Sequence, residues 1–392
     1  MMTSRPDSAI ELSIVMPCLN EADTLAVCIQ KAWRALHDSG ISGEIIVADN
    51  GSSDGSPAIA LELGARVISV EARGYGNALM AGIDAARARY VIMGDADDSY
   101  DFLEIPKFAE QLRNGYPLVQ GCRLPSGGGT VLPGAMPRLH RWFGNPFLSF
   151  LARLWFRAPV HDVYCGMRGF AVDLYRRLDL RCTGMEFAPE MIIKASLHRE
   201  RMTEVPVTLH PDGRVAHKPH LHTFRDGWRT LRLFLLFSPR WLFLAPAALL
   251  IAFGTGAYTL VLGGFTLRGV QFDVQTLLAA SLCMLAGHQA VLFALFTKSF
   301  AIGEGLLPTD ARTARFFQVA TLERGLLLGC VSAIGGAALF TAGVVGQWSA
   351  AFGPLDYLRA LRWAIPGATL TALGLQTILG SFFVSILGLR RR

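Results

Sequence analysis

At 392 residues the chain exceeds one ordinary domain, and 37 basic against 31 acidic residues leave a formal net charge of +6. No nucleic-acid motif or dense basic arm accompanies that charge, so anionic lipid headgroups and phosphorylated substrates suit it better than DNA or RNA. The seven cysteines (18, 28, 122, 165, 182, 283 and 330) have no C-x-x-C spacing, which excludes a disulfide framework and a paired-cysteine zinc site.

Met1–Ile10 is polar and short, so no signal peptide is expected ahead of the soluble part. Leu12–Met16 is an apolar run stopped by Pro17, followed by a helix-like segment from Glu21 to His37. Glu44–Ala48 reads as a second strand, with Asn50-Gly51-Ser52-Ser53-Asp54-Gly55 as its turn and a helix from Ser56 to Leu63. Arg66–Val70 is a third, leading through a glycine-containing turn into a helix from Gly76 to Ala86. Tyr90–Met93 is the fourth, and Leu118–Gly121 the fifth, after a helix near Leu103–Asn114. Strands alternating with helices of this length predict an α/β, doubly wound, mostly parallel sheet.

In such sheets ligands bind outside the carboxyl ends of the strands. Polar residues fall there in succession: Pro17 to Glu21, Asp49 and Asn50, Arg73 to Asn77, Asp95 to Asp98, and Arg123. One crevice lined by these turns is expected. In extended backbone Asp95 and Asp97 point the same way, and two convergent carboxylates suit a hard divalent cation that keeps positions for phosphate oxygens. The G-x-G-x-x-G fingerprint is absent and the first turn has no glycine, which argues against a dinucleotide-binding dehydrogenase; the missing G-x-x-x-x-G-K-[ST] loop disfavours an ATPase.

Further along, Arg138–Arg157 interleaves arginines with Trp142, Phe143, Phe147, Phe150, Trp155 and Phe156, as an interfacial helix does; a core-packing helix is the alternative. Asp162 either supports a neighbouring loop or holds Arg168. Glu186 and Glu190 lie before an apparent helix, and either orient hydroxyls of a ligand or serve the helix terminus. His161, His217, His220 and His222 lack metal-ligand spacing. Four apolar runs follow: Trp241–Gly264, Thr276–Thr297, Leu326–Trp348 and Ile365–Leu389. Each is long enough to cross a hydrocarbon core of about 30 Å as a helix. Domains of 1–238 and 239–392 are therefore expected, the second a bundle of four spans. Arginine and lysine cluster before span one, between spans two and three, and at the C-terminus, which places the soluble domain and the C-terminus in the cytoplasm. Gly335-Gly336-Ala337-Ala338 predicts close helix packing in span three, and His288 a hydrogen bond between helices in span two.

The set Met16-Pro17-Cys18-Leu19-Asn20-Glu21, Ala48 to Gly55, Arg73-Gly74-Tyr75-Gly76-Asn77-Ala78 and Gly94-Asp95-Ala96-Asp97-Asp98 resembles glycosyltransferase family 2. Within it the chain looks most like the polyprenyl-phosphate group, the dolichol-phosphate mannose or glucose synthases; Gly121-Cys122-Arg123 and Asp162 to Phe170 match too. The resemblance implies a GT-A fold over roughly residues 10 to 235. It implies that Pro17, Asn20, Glu21 and Asp49, with Asn50 and Arg73, hold the nucleotide-sugar donor, a UDP- or GDP-hexose. It implies Mg²⁺ or Mn²⁺ on Asp95 and Asp97, donor diphosphate near Arg214 and Lys218, and acceptor phosphate on Arg123. Arg138, Arg168 and Arg141 are further candidates for the acceptor. The family often has Asp where Asn50 stands and Gln where Ser99 stands, for which Asp98 or Asp101 would substitute as a metal contact. A lipid monophosphate, mostly a dianion above its second pKa of about 6, needs cationic positioning and no general base. The implied product is an inverted polyprenyl-phosphate hexose made at the cytoplasmic membrane face. The alternative is a polysaccharide or glycolipid built on a hydroxyl acceptor, against which the missing Q-x-x-R-W weighs. Self-association into a homo-oligomer is left open.

Overall fold

The computed structural model describes residues 10–214, 223–267, 270–308, 315, 318, 320–348 and 357–388. Strand β1 (Leu12–Cys18) is buried along nearly its whole length, as a central strand covered on both faces must be. It runs parallel to β2 (Gly43–Asp49) on one side, and β3 (Arg66–Ser69) runs parallel outside β2. On its other side lies β4 (Tyr90–Met93), also parallel. The crossovers are α1 (Leu25–Asp38), α2 (Ser56–Glu62) and α3 (Tyr75–Asp84). Helix α1 buries Leu25, Cys28, Ile29, Ala32, Ala35 and Leu36, the three-and-four spacing that gives one apolar stripe. Helix α3 approaches β1 closely through Gly82, where a Cβ would lie 2.5 Å from Val15 Cγ1.

The second half of the sheet departs from simple alternation. After α4 (Ile105–Arg113) comes β5 (Leu118–Cys122), then the short β6 (Thr130–Val131) and helix α5 (Asn145–Phe156). Strand β7 (Arg168–Ala171) inserts antiparallel between β4 and β5. Helices α6 (Val172–Leu178) and α7 (Phe187–Leu197) precede β8 (Met202–Pro206), which pairs parallel with β5. The seven strands lie in the order β3-β2-β1-β4-β7-β5-β8. Strands β7 and β8 escape the sequence pattern because each is short and interrupted by polar residues. A two-residue β9 (Thr208–Leu209) pairs with β6, and α8 (Thr223–Phe237) follows.

By its internal contacts the chain divides into 1–234 and 235–392. In the second unit, a π-helical turn at Arg240–Leu244 leads into α9 (Ala245–Leu262), followed by α10 (Val274–Gly303), α11 (Leu322–Trp348) and α12 (Tyr357–Gly388). All four are long and apolar enough to cross a membrane. Glycines bring α11 and α12 together: a Cβ on Gly336 would collide with the Thr371 amide, and one on Gly367 with the Phe340 amide. Gly335, its neighbour, faces open space. Such small-residue seams let apolar helices pack by van der Waals contact where no water is expelled. Thr377 Oγ1 lies 3.1 Å from His288 Nε2, joining α12 to α10.

Candidate active site at the strand exits

The exits of β1 and β2 are latched to one another. Asn20 has a positive φ of 59°, a conformation that asparagine tolerates better than most residues. Its amide donates to Ser52 Oγ at 2.8 Å and its Oδ1 accepts from the Ser53 amide at 2.8 Å. The Glu21 amide donates to Ser56 Oγ at 3.0 Å, and that of Ala22 to Asp54 Oδ2 at 2.9 Å. The polar run after β2 thus holds the loop after Pro17. Asp49 is buried and accepts from the Gly51 and Ser52 amides at 3.2 Å, closing its own turn.

Asn50 was expected to meet the donor, but its side chain is committed to the next turn. It is buried, donates to the Val70 and Ala72 carbonyls at 3.0 and 2.9 Å, and accepts from the Gly74 amide at 2.7 Å. An aspartate there could not make the two donations. Arg73 beside it is exposed. Gly74 and Gly76 sit against residues 182–183, where a Cβ on either would collide with a backbone carbonyl. Glu190 holds that wall from behind, accepting from the Arg181 and Cys182 amides at 3.0 and 2.8 Å and pairing with Lys194 at 2.8 Å. Its burial removes it from any role with sugar hydroxyls. Glu186 is the less enclosed of the two, 3.7 Å from Arg229.

The acidic loop after β4 is where the charges concentrate. Tyr75 Oη donates to Asp95 Oδ1 at 2.8 Å. Asp97 Oδ1 accepts from the Ser99 hydroxyl and amide at 2.6 and 3.1 Å. Its Oδ2 takes Arg214 Nη2 at 3.0 Å, and the same guanidinium reaches Glu21 at 2.7 Å and Asp212 at 2.9 Å. Burial, and next the charge of Asp97, push the Asp95 carboxyl up to about 7. Two carboxylates that repel each other in this way form a donor set a divalent cation would relieve, so the residues fit Mg²⁺ or Mn²⁺. Among the described residues no cluster of three or more His, Cys, Asp or Glu could hold a metal ion, so Asp95 and Asp97 make a set of two carboxylates. Neither proposed substitute for a third ligand serves. Asp98, at φ 57°, is turned onto Lys31 at 2.7 Å, and Asp101 caps the next helical turn through the Leu103 amide.

On the side expected to take the acceptor, Arg123 is buried and bound by both oxygens of Asp162, at 2.7 and 2.9 Å. Its Nη1, the edge without a carboxylate, lies 3.3 Å from Tyr100 Oη. Asp162 therefore holds Arg123 and not Arg168. Arg168, also expected at the acceptor, is wholly buried and directs its guanidinium to the carbonyls of Ala188 and Cys165, at 2.6 and 2.8 Å. An arginine locked in this way braces backbone and cannot meet a lipid phosphate. Arg138 is exposed. Burial, and next the Arg123 cation, hold His140 below its ordinary value. His161 pairs with Glu204 at 2.7 Å. Helix α5 buries Leu148, Leu151, Ala152 and Phe156 while Phe147, Phe150 and Leu154 stay exposed, as do Trp142 and Phe143 before it. Lys218, His217, His220 and His222 lie outside the described residues.

Tyr75 and Asp212 escape the sequence reading. The one usable signal was an aromatic residue placed between two glycines at a strand exit.

Residues 13–179 match glycosyl transferase family 2, and residues 295–388 match the glycosyltransferase family 2 C-terminal transmembrane region. The chain is 38% identical over 395 residues to the low-salt glycan biosynthesis hexosyltransferase Agl6 of Haloferax volcanii, spanning 99% of this chain and 92% of that protein. It is 33% identical over 198 residues to a dolichyl-phosphate hexose transferase of the same organism, 50% of this chain and 82% of that one. A solved structure of glucosyl-3-phosphoglycerate synthase from Mycobacterium tuberculosis overlaps 58% of this chain and 80% of its own, at 22% identity and a TM-score of 0.47.

Proposed function

The chain belongs to glycosyltransferase family 2, and from that premise we propose that it transfers a hexosyl group from a UDP- or GDP-hexose to a polyprenyl phosphate at the cytoplasmic face of the cell membrane. The observation that carries this reading is the cluster in which Arg214 bridges Glu21, Asp97 and Asp212, with the charge of Asp97 acting on Asp95. The names of two relatives, a hexosyltransferase of glycan biosynthesis and a dolichyl-phosphate hexose transferase, support the sugar and the acceptor class.

In the proposed reaction an oxygen of the lipid phosphate bonds to the anomeric carbon as the bond to the donor diphosphate breaks on the opposite face. The configuration inverts, and negative charge builds on the departing nucleoside diphosphate. Asp95 and Asp97 would hold Mg²⁺ or Mn²⁺, which supplies Lewis-acid stabilisation of that charge when bound. Arg214, paired with Glu21, Asp97 and Asp212, holds Asp97 in place. The lipid phosphate, with a second pKa of about 6, is already nucleophilic at cytosolic pH. Arg123 through Nη1, with Arg138, would position it. The exposed aromatics of the α5 region and the arginines of α8 fit an anionic bilayer surface, and the arginine bias around the four apolar helices favours cytoplasmic placement of the first unit.

Membranes supplied with labelled UDP- and GDP-hexoses, with and without added polyprenyl phosphate, test the reading. Nucleoside diphosphate release should require both the lipid phosphate and a divalent cation, with the label recovered in extracted lipid, and Asp97→Ala should abolish it. Undiminished turnover in Asp97→Ala, or a sugar polymer or glycolipid formed on a hydroxyl acceptor with none on lipid phosphate, would overturn it.

A further inference from the structure

Asp95 is gripped from two sides by groups the reaction above does not use. On one side stands Tyr75, the first residue of α3, whose hydroxyl donates to Oδ1 at 2.8 Å. On the other lies Gly166, where a Cβ would sit 2.5 Å from Asp95 Oδ2 and 3.1 Å from Tyr100 Cε2. Gly166 therefore has no room for a side chain, and its bare backbone lies beside the Oδ2 edge of the carboxylate.

Both walls are rigid. Tyr75 is flanked by Gly74, tied to Asn50 Oδ1 at 2.7 Å, and Gly76, tied to the Thr183 carbonyl at 2.9 Å. The loop carrying Gly166 is bonded from several elements at once. Gln120 donates to the Asp162 and Cys165 carbonyls at 2.9 and 3.2 Å, and Arg168 to that of Cys165 at 2.8 Å. Ser149 accepts from the Val163 amide at 3.2 Å, and Tyr100 Oη from that of Gly166 at 2.8 Å. A carboxylate otherwise turns freely about its last bond. Held between a donor and a closed wall, this one has a set plane.

We propose that Tyr75 is a positioning residue, fixing the plane of Asp95 against the Gly166 backbone so that the carboxylate is oriented for a divalent cation before one arrives. This rests on the reading of Asp95 as a metal carboxylate. Partners that orient a ligand in this way typically matter by about 10–100-fold in metal affinity.

The test is Mn²⁺ titration of the detergent-solubilised full chain by electron paramagnetic resonance, in the presence of UDP and separately of GDP. Tyr75→Phe keeps the ring and removes only the hydroxyl. It should weaken Mn²⁺ binding about tenfold and raise the Mn²⁺ concentration for half-activation by the same factor, with turnover largely restored at saturating Mn²⁺. Gly166→Ala, which presses a methyl onto Oδ2, should weaken Mn²⁺ in the same assay. Wild-type Mn²⁺ affinity in Tyr75→Phe, whatever happens to its thermal stability, overturns the proposal and leaves the reading of Asp95 standing. Absence of Mn²⁺ binding by the wild type with either nucleotide overturns both.

Discussion

Asp162→Asn isolates the worth of the buried pair on the acceptor side. The asparagine keeps the size of the side chain but removes the charge that faces Arg123, and it points an amide donor where a guanidinium already donates. Asp162 is wholly buried and Arg123 is 9% exposed, so water cannot replace the lost partner. Of the two short bonds, 2.7 and 2.9 Å, one loses its acceptor and the other becomes a bond to a neutral oxygen, and bonds of 3.2 Å from the Arg123 and Tyr164 amides weaken with them. Removing one partner of a buried pair leaves an uncompensated charge, at a cost of about 3–5 kcal/mol. For a unit of this size that is a fall of about 6–20 °C in the unfolding midpoint, readable by tryptophan fluorescence on the full chain in detergent. Replacing both partners, Asp162→Leu with Arg123→Met, should recover part of that loss, because no buried charge is left unpaired, although the Arg123 and Tyr164 amides lose their acceptor. Transfer to polyprenyl phosphate should stay lost in the double variant, since the guanidinium is gone. A midpoint for Asp162→Asn within about 2 °C of wild type, less than about 1 kcal/mol, would refute the reasoning, as would a double variant no more stable than the single one.

Asn50→Asp should destabilise the first unit by about 1–3 kcal/mol, because a carboxylate would face the Val70 and Ala72 carbonyls that now receive two N–H donors; a thermal midpoint equal to wild type would contradict the assigned role. Glu44 offers a pH test. Burial works against its charge, but the Arg87 amide, the Ser13 hydroxyl and the Arg66 guanidinium outweigh burial and hold the carboxyl below its usual value. A lowered folded-state pKa contributes stability above the unfolded value of about 4.3, lost as pH falls through the folded value. Glu44→Gln should therefore cost about 1.5–3 kcal/mol at pH 7 and progressively less below about pH 4, measured as unfolding midpoints across pH.

Much of the site was legible because local chemistry announces it. A strand that stops at Pro17, a turn rich in serine and aspartate after Asp49, and Asp95 with Asp97 after an apolar run each carry their signal within a few residues. The misreadings share a cause. Arg168 is expected at the acceptor as a cation in the matching segment Asp162 to Phe170, yet it lies on β7, inside the sheet, bracing carbonyls. Asn50 is expected at the donor from its place in the strand-exit motif, and Glu190 either at sugar hydroxyls or at a helix terminus; the partners that settle their burial lie 20 to 24 and eight or nine residues away.

By itself the sequence determined the alternation of strands and helices, four apolar helices, the family, and the order in which polar loops reach one end of the sheet. These follow from periodicity and composition, which act within a few turns of chain. Tertiary structure alone decided that β7 inserts antiparallel between β4 and β5, that Arg214 reaches back to Glu21 and Asp97, and that Tyr75 meets Asp95. Whether a charged side chain ends in water, against a carboxylate or beneath a backbone carbonyl depends on what distant segments bring beside it, and a linear pattern does not encode that desolvation.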